Sequence, residues 1–146
     1  MKKQNKYNVL IINSDETTLK ELETFFVNEN CCVNNYENSI KALNHLENNQ
    51  CNIIIIDIIA SEHEIHNIWN ALKNLPRKTK IILLIGKYSY KAFDLCFSHR
   101  VYPHVYLYKP LNSQKLKKVF NAIQKDNLTH FAAMKDRSYF RLCKSG

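Results

Sequence analysis

Short, largely apolar runs alternate along this chain with longer stretches in which apolar residues recur every three or four positions. The runs read as strands: Tyr7–Ile12, Cys31–Tyr36, Asn52–Ile58, Lys80–Ile85 and Val105–Tyr108. The stretches between them read as helices. Asp15–Asn28 sets Leu19, Leu22, Phe25 and Phe26 on one face. Ser14 or Asp15 caps it, and Asp15 and Glu16 suit its positive end. Ser39 caps a helix carrying Ile40, Leu43 and Leu46. A helix from about Glu64 to Leu75 carries Ile65, Ile68, Trp69 and Leu72, and Pro76 ends it. After a loop opened by Gly86, Tyr88–Ser98 predicts a fourth helix. Asn112 or Ser113 caps the last one, which turns Leu116, Val119, Phe120 and Ile123 inward.

Strands apolar on both faces belong inside a parallel sheet covered by helices on both sides. Short βα units demand right-handed crossovers. The most apolar run, Ile53 to Ile56, belongs in the middle. The expectation is an α/β, doubly wound, flavodoxin-like sheet of five parallel strands in the order 2-1-3-4-5, in three layers. Residues 1–125 make this domain. Asp126-Asn127 breaks the last helix, and residues 126–146 form a tail or linker. Within it, Arg137 to Cys143 alternates like a half-buried strand. It either docks on the domain or opens a truncated output domain.

Ligands of open parallel sheets bind at the carboxyl ends of the strands. Asp57 stands where strand three stops, and Lys109-Pro110 where strand five stops. The topology therefore brings one acid and one amine to a single edge.

Composition narrows the functional classes. At 146 residues, with 45% hydrophobic content, the chain can bury a full core. No stretch reaches membrane-span length, and the apolar run after Met1-Lys2-Lys3 is too short for a signal peptide, so a cytoplasmic protein is expected, with no membrane partner. Cys31, Cys32, Cys51, Cys96 and Cys143 form no Cys-x-x-Cys pair and read as reduced thiols. The six histidines make no ligand set; His63 and His66 share a helix face but lack further ligands. With only Gly86 and Gly146, no glycine-rich phosphate loop is possible, which argues against a nucleotide-binding enzyme. The net charge of +8 is uneven. Residues 1–72 hold five Lys/Arg against ten Asp/Glu, whereas residues 73–125 hold twelve against one. A basic flank attracts acidic partners or nucleic acid; a plain solvated surface is the alternative.

The βα order, Asp57 after strand three, Lys109-Pro110 after strand five and Tyr106 three residues before that lysine resemble the receiver domain of bacterial two-component response regulators, over about Tyr7 to Lys125. Tyr88 to Phe93 and the tail Tyr139 to Gly146 look more narrowly like receivers joined to a LytTR-type DNA-binding domain. The resemblance implies Asp57 as the phosphoacceptor, a sensor histidine kinase as partner, Mg²⁺ held by carboxylates, and Lys109 offsetting charge on the phosphoryl oxygens. It also implies a switch pair, a hydroxyl ending strand four and an aromatic on strand five, here Ile85 and Tyr106.

The chain departs from that pattern. The family's acidic pair falls on Asn13 and Ser14, both neutral, with Asp15 and Glu16 next in line. A loop slip would bring Asp15 to the site; any metal would then rest on Asp15 and Asp57. Ile85 cannot donate a hydrogen bond. Ala60-Ser61 replaces Met-Pro, and Ile65 replaces a glycine. Asp57 has one obvious charged neighbour, Lys109, which would lower its pKa. Tyr106 reads as a half-buried strand residue with a solvated hydroxyl. The sequence thus predicts a non-enzymatic, phosphorylation-independent pseudo-receiver with no resident cofactor, Mg²⁺ binding only if the site is active. It would be a monomer or weak dimer, acting through protein contacts or as the regulatory half of a transcription regulator. Its basic flank, with Lys87, Lys91, Arg100, Lys109, Lys115, Lys117, Lys118 and Lys125, would take an acidic partner, or DNA directly or through an attached output domain. The alternatives are an active phosphoacceptor modified at Asp57 and a basic flavodoxin-like module that binds nucleic acid.

Overall fold

The computed structural model describes residues 7–12, 15–57, 62–76, 78–86 and 103–128. Asn13, Ser14, Ala60, Ser61, the expected helix at 88–98 and the tail beyond residue 128 lie outside the described residues, as do the side chains of Ile65 and Trp69. The elements are β1 (Asn8–Ile12), α1 (Glu16–Asn28), β2 (Cys32–Tyr36), α2 (Ser39–Asn48), β3 (Ile53–Asp57), α3 (Glu62–Leu72), β4 (Lys80–Ile85), β5 (Val105–Tyr108) and α4 (Ser113–Gln124).

The five strands are parallel and ordered β2-β1-β3-β4-β5. Because strand side chains alternate, the apolar runs feed two cores. Leu10, Ile12, Ile54, Ile56, Leu83, Ile85 and Tyr106 face one side, where Ala42 of α2 and Ile68 and Leu72 of α3 pack on them. Val9, Ile11, Ile53, Ile55, Ile82, Leu84 and Leu107 face the other, under Leu22 and Phe26 of α1 and Leu116, Val119, Phe120 and Ile123 of α4. Phe120 centres that second core, with edge-on contacts to Tyr7, Phe25 and Phe26 at ring separations of 5.5, 6.2 and 5.7 Å.

Helix ends follow local chemistry. Asp15 caps α1 and Asn112 caps α4. Asn38, not Ser39, caps α2: its Oδ1 accepts the N–H groups of Ile40 and Lys41. The helix therefore starts one residue earlier than expected; Ile40, expected inward, is 65% exposed, and Ala42 is buried instead. Both α1 and α4 close on a residue with positive φ, Asn30 at 63° and Asp126 at 52°. Each is followed by a return bond, Cys31 N–H to Phe26 carbonyl and Asn127 N–H to Ala122 carbonyl. The last helix therefore does end at Asp126-Asn127.

Candidate functional site

β3 delivers Asp57 to the carboxyl edge of the sheet, where it is only 1% exposed. β5 delivers Lys109 to the same edge. The Lys109 main-chain N–H donates to the Ile85 carbonyl at 2.9 Å, which continues the β4–β5 ladder by one bond, and the Lys109-Pro110 peptide is cis. Lys109 Nζ then reaches Asp57 Oδ2 at 2.5 Å. The acid and amine that the sequence places at one edge are in direct contact.

A third member completes the cluster. Asp15 Oδ2 lies 3.1 Å from Lys109 Nζ, and the Asp15 main-chain N–H donates to the Asp57 carboxylate. Asp57 thus has more than the one charged neighbour read from the sequence; among the described residues, two carboxylates surround one ammonium. The reason is Asp15's place at the helix cap. Its backbone is extended, and its side chain turns back over the helix start. Asp15 Oδ1 accepts the Thr18 N–H at 2.8 Å, and Oδ2 accepts the Thr18 hydroxyl at 2.9 Å. Thr18, buried at 7%, was no candidate from helical spacing, although a cap-to-third-residue spacing of Asp and Thr marks it. Glu16 stays outside the cluster, exposed and 3.7 Å from Lys20.

Burial decides the protonation balance at Asp57. Loss of water raises its pKa above 3.8, and the Lys109 hydrogen bond and charge only partly oppose this, while the Asp15 charge adds to the rise. The expectation that the neighbouring cation sets a lowered value is therefore corrected. The Thr18 N–H holds Asp15 below 3.8, against a smaller effect of burial, and Lys109 adds to the lowering. Burial alone would depress Lys109, but the bonds and charges of Asp57 and Asp15 outweigh it and hold its pKa above 10.5.

Both switch positions are buried in the core. Ile85, at 4% exposure, packs into the core with Leu83, Ile56 and Tyr106. Tyr106 is 1% exposed and belongs to the same buried cluster as Leu83 and Ile85, so the half-buried tyrosine with a solvated hydroxyl is also corrected. On the basic flank, Lys115 Nζ donates to the carbonyls of Tyr108 and Pro110, and Lys117 pairs with Glu29 of α1. Lys118 and Lys125 are exposed. No helix among the described residues is long and apolar enough to cross a membrane.

This fold is that of the receiver domains. Full-length FixJ from B. japonicum superposes with a TM-score of 0.68 at 12% identity, covering 85% of this chain and 60% of FixJ. A CheY-like response regulator receiver domain from Methanospirillum hungatei gives 0.63 at 18% identity, over 82% and 94% of the two chains. The receiver domain of the sensor histidine kinase PA1611 from Pseudomonas aeruginosa, solved with a magnesium ion in its active-site cleft, gives 0.65 at 15% identity, over 87% and 98%. No family model matches the sequence, and no curated protein matches it.

The magnesium ion of that last structure raises the question of fit. Mg²⁺ demands a near-octahedral oxygen shell. Here the described residues offer two carboxylates, and Oδ2 of each already faces the Lys109 ammonium. The remaining oxygen of Asp15 is taken by the Thr18 N–H. No cluster of three or more His, Cys, Asp or Glu is poised for a metal among the described residues. Among the described residues, the donor set does not fit a divalent ion.

Proposed function

We propose that this chain is a receiver-like signalling module that works without phosphorylation, passing its output through protein contacts. The observation that supports it most directly is the state of Asp57: buried, and paired at 2.5 Å with Lys109. A carboxylate that attacks a phosphoryl group needs open approach and compensating cations on the incoming oxygens. At Asp57 the Lys109 ammonium is engaged by the carboxylates themselves. Neutral Asn13 and Ser14 and the hydroxyl-free Ile85 remove the groups that would otherwise assist. The module carries out no catalysis of its own under this reading.

Output runs through the basic flank to an acidic protein surface. Among the described residues of the flank, Lys109, Lys115 and Lys117 are engaged within the domain, and Lys118 on α4 and Lys125 at its C-cap are exposed and serve as contact charges. Two copies meeting through this face would oppose like charges, which favours a monomer or weak dimer. Binding of an acidic partner should weaken steeply with salt and with Lys118→Glu plus Lys125→Glu. Salt-independent binding would contradict this route. A sensor kinase or an attached DNA-binding output domain fits the same module as an upstream or downstream neighbour.

A further inference from the structure

Resting on the phosphorylation-independent reading, we infer that Lys109 is the resident cation of the cleft: its ammonium does the charge balancing that a divalent ion would do, and clamps three elements in one arrangement. The geometry carries this. One Nζ sits on Oδ2 of Asp57 at the end of β3 and on Oδ2 of Asp15 at the start of α1. Its own backbone is tied to β4 through the Ile85 carbonyl. Gly86, next along the chain, lies against the Lys109 side chain; a Cβ there would meet Cδ at 3.7 Å and Nζ at 4.0 Å. The ammonium is therefore held from several directions and is 20% exposed as a side chain.

A tethered ammonium differs from a bound ion in one decisive way. It cannot dissociate, so the cleft has no empty state and no loaded state. An entering divalent ion would compete with Lys109 for both carboxylates, setting three positive charges against the two negative ones of the described residues. The cost is electrostatic and local, and it persists at any ion concentration that leaves the fold intact. The cleft becomes a fixed brace between α1, β3 and β5.

The test uses the full chain with Mg²⁺ and, as a paramagnetic probe, Mn²⁺. The native protein should show no saturable Mn²⁺ broadening of the amides around Asp15, Asp57 and Leu84. Its thermal midpoint should be the same in Mg²⁺ as in sodium salt of equal ionic strength, because a ligand that does not bind the folded state cannot stabilise it. Lys109→Met, which frees both carboxylates, should gain local Mn²⁺ broadening. Saturable broadening in the native protein, or a midpoint raised by Mg²⁺, would overturn the assignment, and these two measurements stand even if the variant does not fold. A folded Lys109→Met that still ignores Mn²⁺ would also overturn it. Treating the same samples with a phosphodonor separates the two ideas: modification of Asp57 without cation binding refutes the functional reading alone.

Discussion

The ammonium of Lys109 stands 3.1 Å from Asp15 Oδ2, across 94 residues of sequence. That contact joins the first βα turn to the last, and it makes Asp15 both a helix cap and a counter-ion. The two roles can be separated. Asp15→Ala removes both and should cost about 1–2 kcal/mol of unfolding free energy, as lost helix caps do. Asp15→Ser keeps a capping oxygen and should recover most of it. Urea unfolding of the three proteins checks this; equal loss in both variants would mean that the cap carries little of the effect.

Lys109 and Asp57 should behave as a coupled pair. Lys109→Met leaves a buried carboxylate without its cation and should destabilise by about 3–5 kcal/mol. Adding Asp57→Asn to that variant removes the stranded charge and should restore part of the loss. The double-mutant cycle reads the coupling; simple additivity would show that the pair is energetically independent.

Among the strands, periodicity alone was enough, because runs such as Ile53 to Ile56 are apolar on both faces and only an interior strand satisfies that. Helix starts were less legible. Asn38 and Ser39 are both capping residues, and helical spacing ranks Ile40 inward although it is 65% exposed. Asp57 and Lys109 were visible as polar ends of apolar runs. Asp15 was visible only as a slip of the loop, because helical spacing ranks inward apolar positions and is silent about where a cap side chain turns. The burial of Tyr106 is not legible in the sequence, because a hydroxyl suggests water whereas burial depends on the packing around the strand.

The acid limb of stability should carry two opposed contributions. Asp57, raised above 3.8, favours the folded state fully below that pH and loses this as pH rises through its folded value. Asp15, lowered, contributes above 3.8 and loses this as pH falls through its folded value. Asp57→Asn removes the first alone. Its stability relative to the native protein should therefore improve as pH rises from below 3.8 through the folded value of Asp57. At the alkaline end, Lys109 favours folding below 10.5 and loses this as pH climbs through its raised value. Urea midpoints across both windows check the signs; a reversed trend in Asp57→Asn would contradict the burial argument.

His104 should mark the opposite edge of the sheet. Its Nδ1 accepts the Ile81 N–H at 3.0 Å, so the ring is neutral with its proton on Nε2. Burial, aided by Lys80 and opposed by Asp126, lowers its pKa below 6.5. Stability from this group is present above 6.5 and fades as pH falls through the folded value. Imidazole NMR titration should find a depressed midpoint, and His104→Phe should lose this pH dependence along with the bond to Ile81.

The central claim is that Asp57 does not accept a phosphoryl group. Intact-mass measurement of the full chain after incubation with a small-molecule phosphodonor and Mg²⁺ tests it most directly. We predict no mass shift on treatment, as for Asp57→Asn treated in parallel. A stoichiometric, Mg²⁺-dependent gain of one phosphoryl group, absent in Asp57→Asn, would contradict it.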